Sequence, residues 1–280
     1  MISPSHLLGS FRVKSLRGLA RGALVAATLL ALPTAVLAYA DLLPDSFDLS
    51  ALGLGTPTAD LPHVARQIAA GEPLRIVAFG SSSTEGIGAS SPAAAYPARL
   101  EVALKGALPH LAGGVTVLNR GIGGEHTDDM LLRLDRDVLQ AKPQLVIWQT
   151  GSNDALRGVT LEHFREATIA TVRQMQDAEI DVVLMEPQWC PKFDATPGAY
   201  RFRDAVREIG DELGVPVIRR SELMRDWVAN AKLTKKQLFA ADGLHMADGG
   251  YALLARAAAD EILRDAGSLK LAEAQATAID

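Results

Sequence analysis

Three consecutive serines, Ser81, Ser82 and Ser83, lie between Gly80 and Thr84-Glu85-Gly86, directly behind an apolar run from Leu74 to Phe79. A strand that delivers a serine into a bendable turn, with a helix to follow, is where an activated nucleophile can be held. A serine hydroxyl needs a base to become reactive. Near the C-terminus, Asp242-Gly243-Leu244-His245 sets a carboxylate three residues ahead of an imidazole. In a tight turn that spacing lets the carboxylate accept the Nδ1 hydrogen of His245 and leaves Nε2 to take a proton from a hydroxyl. Two more segments offer donors to a developing oxyanion. Gly124, in Gly121-Ile122-Gly123-Gly124, can present a bare backbone N–H, and Asn153, in Gly151-Ser152-Asn153-Asp154, can add a side-chain N–H. The backbone N–H of Ser82 would be a third. Singly, these are a turn-shaping aspartate, a flexible glycine turn and an ordinary turn asparagine. Together they are the parts of acyl-transfer chemistry, in which any of the three serines could in principle attack.

These residues must be brought together by the elements between them. After Pro73, short apolar runs alternate with longer helical ones. The strand candidates are Arg75 to Phe79, Val115 to Asn119, Leu145 to Gln149, Asp181 to Met185 and Val215 to Ile218. They are apolar almost throughout, as strands covered on both faces are. Between them, Ala93 to Lys105, Asp128 to Gln140, Leu161 to Asp177 and Ala199 to Leu213 carry apolar residues at helical spacing, and Gly249 to Ala266 closes the series. A βαβ series with five strands predicts one three-layer α/β/α domain with a five-stranded parallel sheet, over residues 73–267. In such sheets, ligands bind at the carboxyl ends of the strands. Ser82, the Asn119 to Thr127 loop and Gly151 to Asp154 follow the first three strands and open onto one edge.

Other reactive side chains fit less well. His126 lies beside the second loop and could join Asp242 and His245 on a metal, but no local zinc motif accompanies it, and a pocket-lining or solvent-facing histidine is the plainer reading. Neither glycine-rich loop makes a phosphate cradle, because one lacks the Gly-Lys-Ser/Thr ending and the other has His126 in place of its third glycine. Gln188 and Trp189 follow the fourth strand and could line a substrate pocket, or Trp189 could simply pack. Cys190, the single cysteine, has no partner histidine nearby in sequence and reads as a buried or idle thiol.

The order and spacing of these blocks resemble the SGNH/GDSL hydrolase superfamily. Gly80 to Gly86 matches its GDS-x-T-x-G block, Asn119 to Gly124 its second, Gly151 to Asp154 its G-x-N-D block, and Asp242 with His245 its D-x-x-H block. The resemblance runs from about Leu74 to the final helix. It implies a flavodoxin-like sheet, serine-dependent ester hydrolysis without a cofactor, Ser82 as nucleophile, and Gly124 and Asn153 as oxyanion donors. Ser81 departs from the family, which usually carries an aspartate there. That aspartate is neither nucleophile nor base, so the change bears on the packing of the loop.

With 48% hydrophobic and 22% charged residues, the 280-residue chain has the material for one large core. Its lysines and arginines are scattered and its formal charge is -5, so no footprint for nucleic acid is present. Residues 1–21 hold four basic residues and no acidic one, and Gly22 to Ala40 is uncharged and mostly apolar, ending in Ala38-Tyr39-Ala40. That is the order of a signal peptide cleaved near Asp41, or of an anchor associating with a membrane through residues 22–40. Either predicts export to a periplasmic or extracellular space, and loss of residues 1–40 would take the formal charge from -5 to -9. Residues 41–72 read as a linker ending in a helical stretch from Val64 to Ala70, and residues 268–280 as a tail. The expected partner is a small-molecule or carbohydrate ester. An O-acyltransferase acting on an envelope polysaccharide and a non-catalytic glycan-binding envelope protein are the alternatives.

Overall fold

A computed structural model of the protein describes residues 60–267. The signal or anchor segment, most of the linker and the tail lie outside the described residues. The five strands, β1 (Leu74–Gly80), β2 (Val115–Gly121), β3 (Leu145–Gln149), β4 (Asp181–Met185) and β5 (Val217–Ile218), form one sheet in the order β2-β1-β3-β4-β5. Every pairing is parallel. This is the flavodoxin-like α/β/α arrangement expected from the sequence.

Period-two alternation sends successive side chains to opposite layers. Ile76, Ala78, Leu145 and Ile147 enter one core with the helices Pro62–Ala70, Tyr96–Ala107 and Asp248–Asp265. Val77, Phe79, Val146 and Trp148 enter the other with Leu161–Asp177 and Tyr200–Leu213. Burial on both faces explains why β1, β3 and β4 lack an alternating polar pattern.

Four expectations are adjusted. The Asp128 to Gln140 helix is broken into Thr127–Leu131, Leu134–Asp137 and a 3-10 turn, Leu139–Ala141. Arg133 leaves helical geometry (φ -118°, ψ 6°) while its buried guanidinium is tied down to several neighbours, an event that helical periodicity does not register. The helix expected from Ala93 begins at Tyr96, because Ala95 is extended and Pro97 occupies the first turn. β5 starts at Val217, since the Val215 N–H is spent on Gly210 O and Pro216 has none. The packed body also starts before Pro73. In the Pro62–Ala70 helix, Val64 and Ile68 are buried, and the Val64 N–H donates to Asp181 Oδ2 at 2.8 Å, so a carboxylate at the start of β4 caps that helix.

Candidate active site

Three loops leave the carboxyl ends of β1, β2 and β3. After β1 the chain turns at Ser81 into a one-turn helix, Ser82–Glu85. The Ser81 carbonyl accepts the N–H groups of Thr84 and Glu85 at 3.0 and 2.9 Å. With that oxygen pinned, the planar Ser81-Ser82 peptide points its N–H the opposite way. Among the described residues no acceptor takes the Ser82 N–H.

The imidazole of His245 arrives from the other end of the chain. His245 Nε2 lies 2.8 Å from Ser82 Oγ, and His245 Nδ1 lies 2.5 Å from Asp242 Oδ2. Asp242 Oδ1 accepts the N–H groups of Leu244 and His245, both at 2.9 Å. One carboxylate thus shapes the turn with one oxygen and orients the imidazole with the other. Burial alone would raise the Asp242 carboxyl, but the bonds from the imidazole and the two backbone N–H groups outweigh it and hold the group at about 2. The Asp242 carboxyl is therefore ionised at neutral pH.

The second loop is folded against the Ser82 turn. The Gly123 N–H donates to Glu85 Oε2 at 2.7 Å, and a Cβ on Gly123 would lie 3.8 Å from that of Ser82. Gly124 has φ +83°, a conformation that a side chain would strain, and among the described residues its N–H meets no acceptor. Asn153 reaches across from the third loop, giving one amide hydrogen to Glu125 O at 2.7 Å. An asparagine amide has a second hydrogen, which that bond leaves over. Ser82, Asp242 and His245 are thus joined in one hydrogen-bonded chain, and Gly124 and Asn153 sit on the second and third loops, which the Asn153 bond to Glu125 O ties together.

Residues without a motif hold this loop. Arg133 is buried. Its guanidinium bonds Glu125 Oε2 (2.7 Å), Asp137 Oδ2 (2.9 Å), Arg120 O (3.0 Å) and Gly80 O (3.0 Å), and lies over the Phe79 ring. Asp154 accepts the Thr127 N–H at 3.1 Å, and burial raises its carboxyl despite that bond. The signal available for Arg133 was a basic residue inside an otherwise amphipathic run, which sequence patterning reads as solvated surface.

The remaining candidates sit elsewhere. His126 caps the Thr127–Leu131 helix through Nδ1, which accepts the Asp129 N–H. Among the described residues no cluster of three or more His, Cys, Asp or Glu is arranged to hold a metal. Gln188 is buried. Trp189 is half-buried, donating to Asp194 Oδ2 at 3.1 Å with its ring edge-on to Phe239. Cys190 is fully buried, and burial pushes its thiol up. Beyond Gly124 lies a groove of about 560 Å³, lined by Ile122, Leu132, Arg136 and Arg157 among others.

A parallel sheet of this order, with a serine, an imidazole and a carboxylate chained at its carboxyl edge, defines the class of SGNH/GDSL-like hydrolases, and comparison with known proteins agrees. Residues 51–267 match the Non-GDSL lipase-like family, and the chain belongs to it. It is 33% identical over 133 residues to the uncharacterized lipoprotein YqeF of Bacillus subtilis (strain 168), covering 38% of this chain and 55% of that one. To an arylesterase of Vibrio mimicus it is 27% identical over 150 residues, or 54% of this chain and 71% of the relative. A solved two-domain esterase active on acetylated mannans shares the fold, with a TM-score of 0.62 over 75% of this chain and 54% of its own, at 23% identity. The chain therefore spans about half the length of YqeF and of that esterase.

Proposed function

We propose that the protein is a serine-dependent carboxylic ester hydrolase that works through an acyl-enzyme. His245, held by Asp242, removes the Ser82 proton as Oγ attacks the ester carbonyl. The oxyanion is received by the N–H groups of Ser82 and Gly124 and by the spare Asn153 amide hydrogen. The imidazolium then protonates the leaving alcohol, and water, activated by the same imidazole, releases the acid and frees Ser82. The observation that carries this reading is the unbroken Asp242–His245–Ser82 chain, with contacts of 2.5 and 2.8 Å.

The favoured substrate class is a short-acyl or carbohydrate ester. Two proteins to which the chain is similar are an arylesterase and an esterase active on acetylated mannans. The groove beside Gly124 offers the alcohol portion a partly polar wall, since Arg157 and Arg136 are 52% and 67% exposed there. The hydrolase domain is assigned to the packed body ending at residue 267, with export directed by residues 1–40, a route that similarity to a lipoprotein supports. Among the described residues no helix is long and apolar enough to cross a membrane.

The test is hydrolysis of p-nitrophenyl esters of increasing acyl length and of acetylated oligosaccharides, with Ser82→Ala as control. The expected result is turnover of acetyl substrates that falls by about 10⁴-fold or more in the variant. Turnover unchanged by Ser82→Ala would refute the assignment.

A further inference from the structure

We propose that Gln149, the last residue of β3, is a positioning residue that sets the nucleophile turn in place of the aspartate this chain lacks. The proposal rests on the reading of Ser82 as nucleophile and concerns what holds it.

Gln149 is buried, and its side chain meets the turn from beneath. Its Oε1 accepts from Ser81 N–H at 3.0 Å, from Ser81 Oγ at 3.1 Å and from Thr84 Oγ1 at 3.3 Å. Gly80 makes room for this approach, since a Cβ there would come within 3.0 Å of the Gln149 backbone oxygen and Cβ. The orientation of the amide is dictated by its neighbours. A backbone N–H can only donate, so the atom facing Ser81 N must be the oxygen. That sends Nε2 towards Ser152 Oγ, 3.5 Å away, whose own hydrogen goes to Gln188 Oε1 at 3.0 Å. The Gln188 oxygen is fixed in turn by Arg220 Nη2, another obligate donor, at 2.7 Å. Gln188 Nε2 then points at Leu244 O, at 3.5 Å, beside His245. Two donor-only groups, Ser81 N–H and the fully buried Arg220, thus close a chain whose polarity has no second solution, and it runs beneath both the nucleophile and the base.

The consequence for the reaction lies in the Ser81-Ser82 peptide. Its carbonyl is held by the Ser82–Glu85 helix, and the N–H of the preceding Gly80-Ser81 peptide by Gln149. Together these aim the free Ser82 N–H and place Oγ against His245. Ser81 fits the scheme because its hydroxyl donates. A carboxylate at 81 could only accept and would face the Gln149 oxygen, which explains why a hydroxyl occupies this position here.

The experiment measures kcat and KM on p-nitrophenyl acetate, the phosphonylation rate at saturating fluorophosphonate, and the thermal midpoint. The proteins are the wild type, Ser82→Ala, Gln149→Met, Gln149→Glu, Ser81→Ala and Ser81→Asp. Gln149→Met is expected to lower kcat and the phosphonylation rate together by about 10–100-fold, with KM within about threefold. Gln149→Glu keeps an acceptor towards Ser81 and is expected to stay within about tenfold of wild type, above the Met variant. Ser81→Asp should lose more than Ser81→Ala, and this pair decides the matter if Gln149→Met does not fold. A folded Gln149→Met with wild-type kcat, a loss confined to KM, a Glu variant no better than Met, or equal losses from Asp and Ala at position 81 would each overturn the proposal. If Ser82→Ala is inactive while the Gln149 variants are normal, only this inference fails. If Ser82→Ala stays active, the hydrolase reading falls and this one with it.

Discussion

The turn that carries His245 and the turn that carries Ser82 are supported in opposite ways. Asp242 to His245 is largely self-sufficient: the carboxylate that orients the imidazole also binds the two backbone N–H groups beside it, all within three residues. It is also open, with the Asp242 side chain 46% exposed. The turn around Ser82 is buried beneath and draws its support from afar. Gln149 holds Ser81 from 68 residues away and Arg133 holds Gly80 O from 53. The His245 turn is thus a local device, whereas the Ser82 turn belongs to the sheet edge as a whole. Damage to the first should cost catalysis while sparing the fold, and damage beneath the second should cost both.

Asp242→Asn strikes the local device. It keeps the size of the side chain but allows the wrong imidazole tautomer, so kcat should fall by about 10³–10⁴-fold with little change in the thermal midpoint at pH 7. Its pH signature has a definite sign. The folded carboxyl sits at about 2, below its ordinary 3.8. The wild type therefore gains stability above about pH 4 that disappears as pH falls towards 2, and the Asn variant lacks that component. Exposure keeps this contribution small, and acid unfolding curves of the two proteins measure it. Asn153→Ala tests the meeting of loops. It removes the proposed oxyanion donor and its bond from the third loop to Glu125 O, and should lower kcat by roughly 10²–10³-fold with KM little changed. Arg133→Met tests the distant support. It strands Glu125 and leaves Asp137 with Arg136 alone, and should cost about 3 kcal/mol in urea unfolding, with a smaller loss of kcat in the folded fraction. If Arg133→Met proved neutral in stability, or Asp242→Asn unfolded the protein at pH 7, the contrast between the turns would be lost.

The same contrast explains what was legible in the sequence. Asp242 and His245 could be paired by spacing because their interaction is written within four residues. The long elements read well for a related reason. β3 and β4 are apolar throughout because both faces are buried, and Leu161–Asp177 keeps a regular apolar face behind its Thr160 cap. Gln149 and Arg133 were not legible. A polar residue at the end of an apolar strand or within a helical run looks like surface until its distant partners are placed around it. The break at Arg133 was missed for the same reason, since it follows from a guanidinium turned inward, and β5 was overextended because Pro216 interrupts hydrogen bonding without interrupting hydrophobicity. Ser82 falls in between. Its block could be matched, but what ranks it over Ser81 and Ser83 physically is the 2.8 Å contact with His245, across 163 residues.

The most direct measurement is to treat the protein with a fluorophosphonate and locate the adduct by peptide mass spectrometry, in the wild type and in His245→Ala. A stoichiometric adduct on Ser82 that is lost in His245→Ala is the predicted result. An adduct on Ser81, Ser83 or any other residue, or labelling of Ser82 that persists at the same rate without His245, would contradict the account.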